Sequence, residues 1–130
     1  LDKMELPKKP KRLPKNVLDK EEVLQVFELP LMFGLPGYRD RAMLELLYAS
    51  AVRRRELVEL RLKNADLKNK VLMVKQGKGQ KDRRVPISTR ACQWLTFYLK
   101  DVRPRLANMQ SIDYLFINNI DMVVFCYFAL

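Results

Sequence analysis

The sequence predicts an α+β domain, mainly helical, whose helices pack with a small antiparallel hairpin that extends to three strands. Apolar residues recur at helical spacing in the stretches 19–30, 38–51 and 89–102. Between the last two, a loosely alternating segment turns through Gly77-Lys78-Gly79-Gln80 and returns as a second one. Before it, Leu60, Leu62 and Leu67 around Asn64-Ala65-Asp66 suggest a short edge strand.

At 130 residues the chain suits one domain with a real core, and 48% hydrophobic with 31% charged residues is an ordinary globular balance. The sign of the charge is not ordinary. Lys and Arg number 25 against 15 Asp and Glu, a net +10 that favours nucleic acid or an anionic surface as partner. Histidine is absent, which excludes Cys/His zinc sites and histidine acid–base catalysis within this sequence. Cys92 and Cys126 lie in apolar surroundings without metal-ligand spacing, as buried thiols of a reducing, cytoplasmic compartment do. No metal, cofactor or membrane is expected: the start is charged and proline-rich, and the apolar stretch 121–130 is too short to span a bilayer.

Taken in order, residues 1–16 combine Lys3, Lys8, Lys9, Lys11, Arg12 and Lys15 with Pro7, Pro10 and Pro14, and read as a basic, extended linker. Asp19-Lys-Glu-Glu22 has the form of a capping box and opens a helix bearing Val23, Val26 and Phe27, which Pro30 ends. Leu31 to Gly37 reads as a loop punctuated by Gly34, Pro36 and Gly37. A second helix, about Tyr38 to Ala51, buries Ala42, Met43, Leu46, Leu47 and Ala49, with Arg41 and Glu45 as a surface pair. Arg53-Arg54-Arg55 leads into a short third helix ending at Leu60, with Glu56 holding the local structure. The hairpin runs from Lys70 to Lys75 and from Arg83 to Ile87, and Lys75, Lys78, Lys81, Arg83 and Arg84 make it strongly basic. Ser88 or Thr89 caps a helix reaching Val102, where Trp94 and Tyr98 are read as packing residues and Arg103-Pro104-Arg105-Leu106 as its end.

Two of these stretches resemble the tyrosine recombinases, the phage integrase and bacterial Xer family. The family's Tyr-Ala-Thr-Gly-Leu-Arg-x-Ser-Glu-Leu segment is matched by Tyr48 to Leu57, with Ala51 for Gly, Val52 for Leu and Arg55 for Ser. Its Gly-Lys-Gly-x-Lys-x-Arg-x-Val-Pro hairpin is matched in full by Gly77 to Pro86. The likeness runs from about Leu6 to Phe116 and implies the catalytic-domain fold of that family, in incomplete form. It divides the chain into a linker, 1–16, a partial catalytic domain, 17–116, and a divergent apolar tail, 117–130. It also implies double-stranded DNA as partner, with full-length recombinase protomers as further candidates. Arg53 becomes the first phosphate-binding arginine and Lys78 the general acid for the leaving 5′-oxygen. Lys8, Lys9, Lys11 and Arg12 of the linker and Lys75, Lys81 and Arg83 of the hairpin become DNA contacts. The chemistry suits these residue types: guanidinium is planar and permanently charged, and a glycine-flanked lysine can approach a leaving group.

The rest of the family's catalytic set has no match. There is no His-x-x-Arg motif, and Tyr127, set between Cys126 and Phe128, reads as a packing residue. The sequence, opening on Leu1, is therefore expected to be a fragment or processed piece that keeps DNA affinity without cutting. Two other readings remain at this stage. One is a non-catalytic DNA-binding or regulatory module derived from the same fold. The other, an RNA-binding basic protein, rests on charge alone, since few aromatics lie among the basic residues.

Overall fold

A computed structural model of the chain describes residues 17–75, 81–107 and 113–117. The expectation of a mainly helical α+β fold holds. Among these residues there are five α-helices and a three-stranded antiparallel sheet: α1 Lys20–Glu28, α2 Gly34–Ser50, α3 Arg54–Glu59, β1 Ala65–Asp66, β2 Val71–Val74, β3 Arg83–Pro86, α4 Thr89–Phe97 and α5 Arg103–Leu106. The linker, the hairpin tip with Gly77, Lys78 and Gly79, and the tail beyond Ile117 lie outside the described residues.

Helix α1 begins with the expected capping box. The Asp19 Oδ1 accepts the Glu22 N–H at 2.8 Å and the Glu22 Oε2 accepts the Asp19 N–H at 2.9 Å. The expected loop 31–37 is instead mostly helical. Leu29–Phe33 forms a 3₁₀ turn, and α2 starts at Gly34, whose φ of +67° lets the chain change direction between the two. Pro30 and Pro36 do not prevent this, because each stands in a first turn where its missing N–H is not needed.

Helix α2 is the central element. Its Ala42 and Leu46 are fully buried with Val52, Leu57, Leu60, Leu72, Val74, Ala91, Leu95, Tyr98 and Leu115 in one core. The pair Arg41–Glu45 is not on the surface as the sequence suggested: their side chains are 1% and 4% exposed. Arg41 lies between the rings of Phe27 and Trp94, 5.1 Å and 4.8 Å from their centroids. It donates to Glu45, to Glu28 and to the Phe27 carbonyl, so it supplies the positive charge that the last turn of α1 lacks. Glu45 also accepts from Arg90 at 2.8 Å.

Ala51 ends α2 in the left-handed conformation, φ 49° and ψ 29°, with its N–H on the Leu47 carbonyl. This is where the family motif carries Gly, and the geometry supplies the reason: only glycine adopts that conformation without a Cβ penalty. Ala51→Gly is expected to raise stability by about 0.5–1 kcal/mol, the relieved strain exceeding the added chain entropy. A melting temperature unchanged or lowered by this substitution would contradict it.

The sheet has the order β1-β2-β3, with Ala65 opposite Leu72, and Val71 to Val74 opposite Pro86 to Arg83. Ser88 caps α4, accepting the Ala91 N–H at 3.1 Å. The helix then widens into a π-turn over Tyr98–Val102 and continues through Arg103-Pro104-Arg105-Leu106 instead of stopping there, since Pro104 falls in the first turn of α5. The strip 113–117 returns beside Arg61, with Leu62 N–H on the Asp113 carbonyl and Leu115 N–H on the Leu60 carbonyl, both 2.9 Å. Ile117, 1% exposed, is held at both main-chain groups. Its N–H donates to the Tyr98 hydroxyl at 3.1 Å and its carbonyl accepts from Arg39 at 3.0 Å.

Candidate nucleic-acid interface

Arg53 stands at the N-cap of α3, two residues beyond the left-handed turn at Ala51. Val52, 5% exposed, turns inward between them and anchors the segment. The main-chain N–H of Arg53 donates to Glu56 Oε2 at 2.8 Å, the returning half of a capping box. Its guanidinium projects outward, 78% exposed, with Nη1 3.9 Å from Glu56 Oε1. Arg54 and Arg55 are exposed too, as expected, and Arg55 pairs with Glu59 at 3.1 Å.

Glu56 joins this turn to the hairpin. Arg83 takes both its oxygens, Nη1 to Oε1 at 2.8 Å and Nη2 to Oε2 at 2.7 Å, a bidentate pair. The Arg83 bonds, followed by the Arg53 main-chain N–H, hold the Glu56 carboxyl down at about 2 despite the opposing effect of burial. Glu56 is thus ionised over the physiological range and acts as a structural acceptor, the role its sequence position suggested.

The other expected contacts divide clearly. Lys75 and Lys81, exposed, flank the hairpin tip, and Arg84 is exposed on β3. Among the described members of this group, Arg83 is committed to an internal partner, Glu56. Lys8, Lys9, Lys11, Arg12 and Lys78 lie outside the described residues. Lys75 also borders a cleft of about 900 Å³ lined by Glu56, Glu59, Arg61, Lys63 and Tyr114. Acidic and basic residues both line it, so no single sign of charge would collect phosphate there. Sequence reasoning did not single out its Arg61, which stacks 3.8 Å over the Tyr114 ring and donates to its hydroxyl; the two are 53 positions apart in sequence, too far for any periodicity to signal.

Tyr98, Trp94 and Cys92 serve packing. Tyr98 is fully buried, and burial pushes its phenol up while its oxygen accepts the Ile117 N–H. Trp94 packs on Arg41 and, edge to face, on Phe97. Cys92 is a buried free thiol, its pKa raised by desolvation. Among the described residues no group of His, Cys, Asp or Glu could hold a metal ion, and no helix is long and apolar enough to cross a membrane.

These features have counterparts in known proteins. A family model described as the phage integrase family matches residues 16–123. Tyrosine recombinase XerC 2 of Ralstonia nicotianae is 44% identical over 103 residues, covering 79% of this chain and 30% of that protein. Tyrosine recombinase XerD of Staphylococcus aureus is 42% identical over 115 residues, 88% of this chain and 38% of that protein. The crystal structure of XerA recombinase superposes with a TM-score of 0.68 at 30% identity, over 85% of this chain and 37% of that one. The chain thus spans about a third of the length of these relatives. The motif around Arg53, the helical fold with its small sheet and the family match over most of the sequence converge: this chain belongs to the phage integrase family of tyrosine recombinases.

Proposed function

We propose that this chain is a DNA-binding portion of the catalytic domain of a site-specific recombinase, acting in integration and recombination by strand breakage and rejoining. Duplex DNA is its partner, and other recombinase protomers are its protein partners. Arg53 holds a non-bridging phosphate oxygen, and Lys78 supplies the proton to the 5′-oxygen that leaves when a tyrosine hydroxyl, for which this sequence offers no match, attacks the phosphate. Lys75 and Lys81 hold the backbone on either side of the hairpin tip, and the linker cations Lys8, Lys9, Lys11 and Arg12 follow it further. The observation that supports this most is the Arg53 guanidinium. It is based at a capped helix start, yet it is 78% exposed, and among the described residues its nearest recorded partner is Glu56 at 3.9 Å. Fixed, available positive charge is what a phosphodiester transition state requires.

Duplex-DNA binding followed by anisotropy across a salt series tests the proposal. Affinity should fall steeply with log salt. An Arg53→Ala, Lys78→Ala double variant should give a slope shallower by about two charges' worth of released counterions. Weak binding by the unaltered chain, or equal slopes for the two proteins, would remove Arg53 and Lys78 from the DNA.

A further inference from the structure

Strand geometry sends the neighbouring arginines of β3 to opposite faces. Arg84 is exposed, whereas Arg83 shares its face with Val85, which packs against the core. Arg83 is also the β3 residue nearest the hairpin tip, paired across the sheet with Val74, which is 1% exposed. Its guanidinium crosses to α3 and occupies both oxygens of Glu56 at 2.8 Å and 2.7 Å. The Glu56 side chain is only 11% exposed, so its charge is poorly served by water.

This arrangement decides where the negative charge goes. While Arg83 holds both oxygens, Glu56 stays 3.9 Å from the Arg53 guanidinium, beyond hydrogen-bond length, and Arg53 keeps its charge for an incoming phosphate. Among the described residues, Arg53 is the other cation in ion-pair range of Glu56, so removing Arg83 would leave the sheltered carboxylate to draw on it.

We propose that Arg83 is a positioning residue and not a phosphate contact: by occupying both oxygens of Glu56 it keeps that carboxylate off Arg53 and ties the root of the β2–β3 hairpin to α3. The proposal rests on the reading of Arg53 as a phosphate ligand, and it replaces the expectation that Arg83 itself binds DNA. The same Arg83 bonds hold the Glu56 carboxyl low, so it stays a charged acceptor.

The experiment is a set of salt series on duplex DNA with Arg83→Ala, Arg83→Lys, Glu56→Gln, Arg53→Ala and the Arg83→Ala, Glu56→Gln double variant. Both Arg83 variants should lose about one unit of slope, although lysine preserves the charge, because a point charge cannot occupy two oxygens. Adding Glu56→Gln to Arg83→Ala should restore the slope, since a neutral amide leaves Arg53 free; the effects of the two substitutions are then not additive. Carboxyl NMR of Glu56 should show its pKa rising when Arg83 is removed. A direct phosphate contact predicts the unaltered slope for Arg83→Lys and additive effects, which overturns the proposal. So does a loss that Glu56→Gln fails to restore, the signature of a merely structural role. Failure of the phosphodiester reading looks different: Arg53→Ala then keeps the unaltered slope, and the positioning role falls with it.

Discussion

Replacing Arg41 with alanine is expected to cost the fold about 3–5 kcal/mol, the range for removing one member of a buried, hydrogen-bonded ion pair. Several losses coincide at this residue. The Phe27 carbonyl at the end of α1 loses its donor, and Glu28 loses its partner in α2. The space between the Phe27 and Trp94 rings empties, and a cavity between an aromatic pair does not collapse without cost. Glu45 is partly protected, because Arg90 still donates to it at 2.8 Å. Arg41→Met should therefore recover part of the loss by refilling the volume, and Arg90→Ala should cost far less than Arg41→Ala. Denaturant titration reads this directly as a fall in midpoint at constant slope. A loss below about 1 kcal/mol for Arg41→Ala would mean that its contacts contribute as little as an exposed helix pair.

Gly37→Ala should be the next most damaging change, by about 3 kcal/mol, although it replaces a helical glycine with the best helix former. A Cβ on Gly37 would stand 1.8 Å from the Pro30 carbonyl oxygen and 2.8 Å from its carbon, both backbone atoms. Side-chain rotation cannot relieve that contact, so the 3₁₀ turn must lift away from α2. Local propensity and tertiary contact thus predict opposite signs, and one stability measurement separates them: propensity alone expects a gain of about 1 kcal/mol. Hydrogen exchange would locate the damage. Amides of α1 should lose protection first, because the turn that joins α1 to α2 is the part displaced.

These two residues mark where reading along the chain stopped working. Gly37 read as loop punctuation and proved to be a point of helix contact. Arg41 read as half of an exposed i,i+4 pair, since charge at that spacing is most often solvated. Nothing local distinguishes an arginine facing water from one facing a carboxylate, a carbonyl and two rings. The covering groups come from α1 and α4, as much as 53 positions away at Trp94. Arg83 illustrates the same limit at the candidate site. The hairpin motif makes it an expected DNA contact, but its partner Glu56 lies 27 positions earlier and in another element.

What the sequence by itself determined is what short-range physics encodes: the capping box at Asp19 and Glu22, a hydroxyl cap at Ser88 or Thr89, the two paired strands within 70–87, the arginine-bearing turn after α2, and through the two motifs the family. Each depends on groups within a few residues of one another, where backbone geometry leaves little choice. Tertiary structure alone decided which charges are buried or paired and which stay exposed. It buried Arg39, Arg41 and Glu45, tied Arg83 to Glu56 and left the Arg53 guanidinium exposed. The physical reason is that desolvation depends on everything packed around a side chain, and that is fixed only when α1, α4 and the strip 113–117 close over α2 and the sheet.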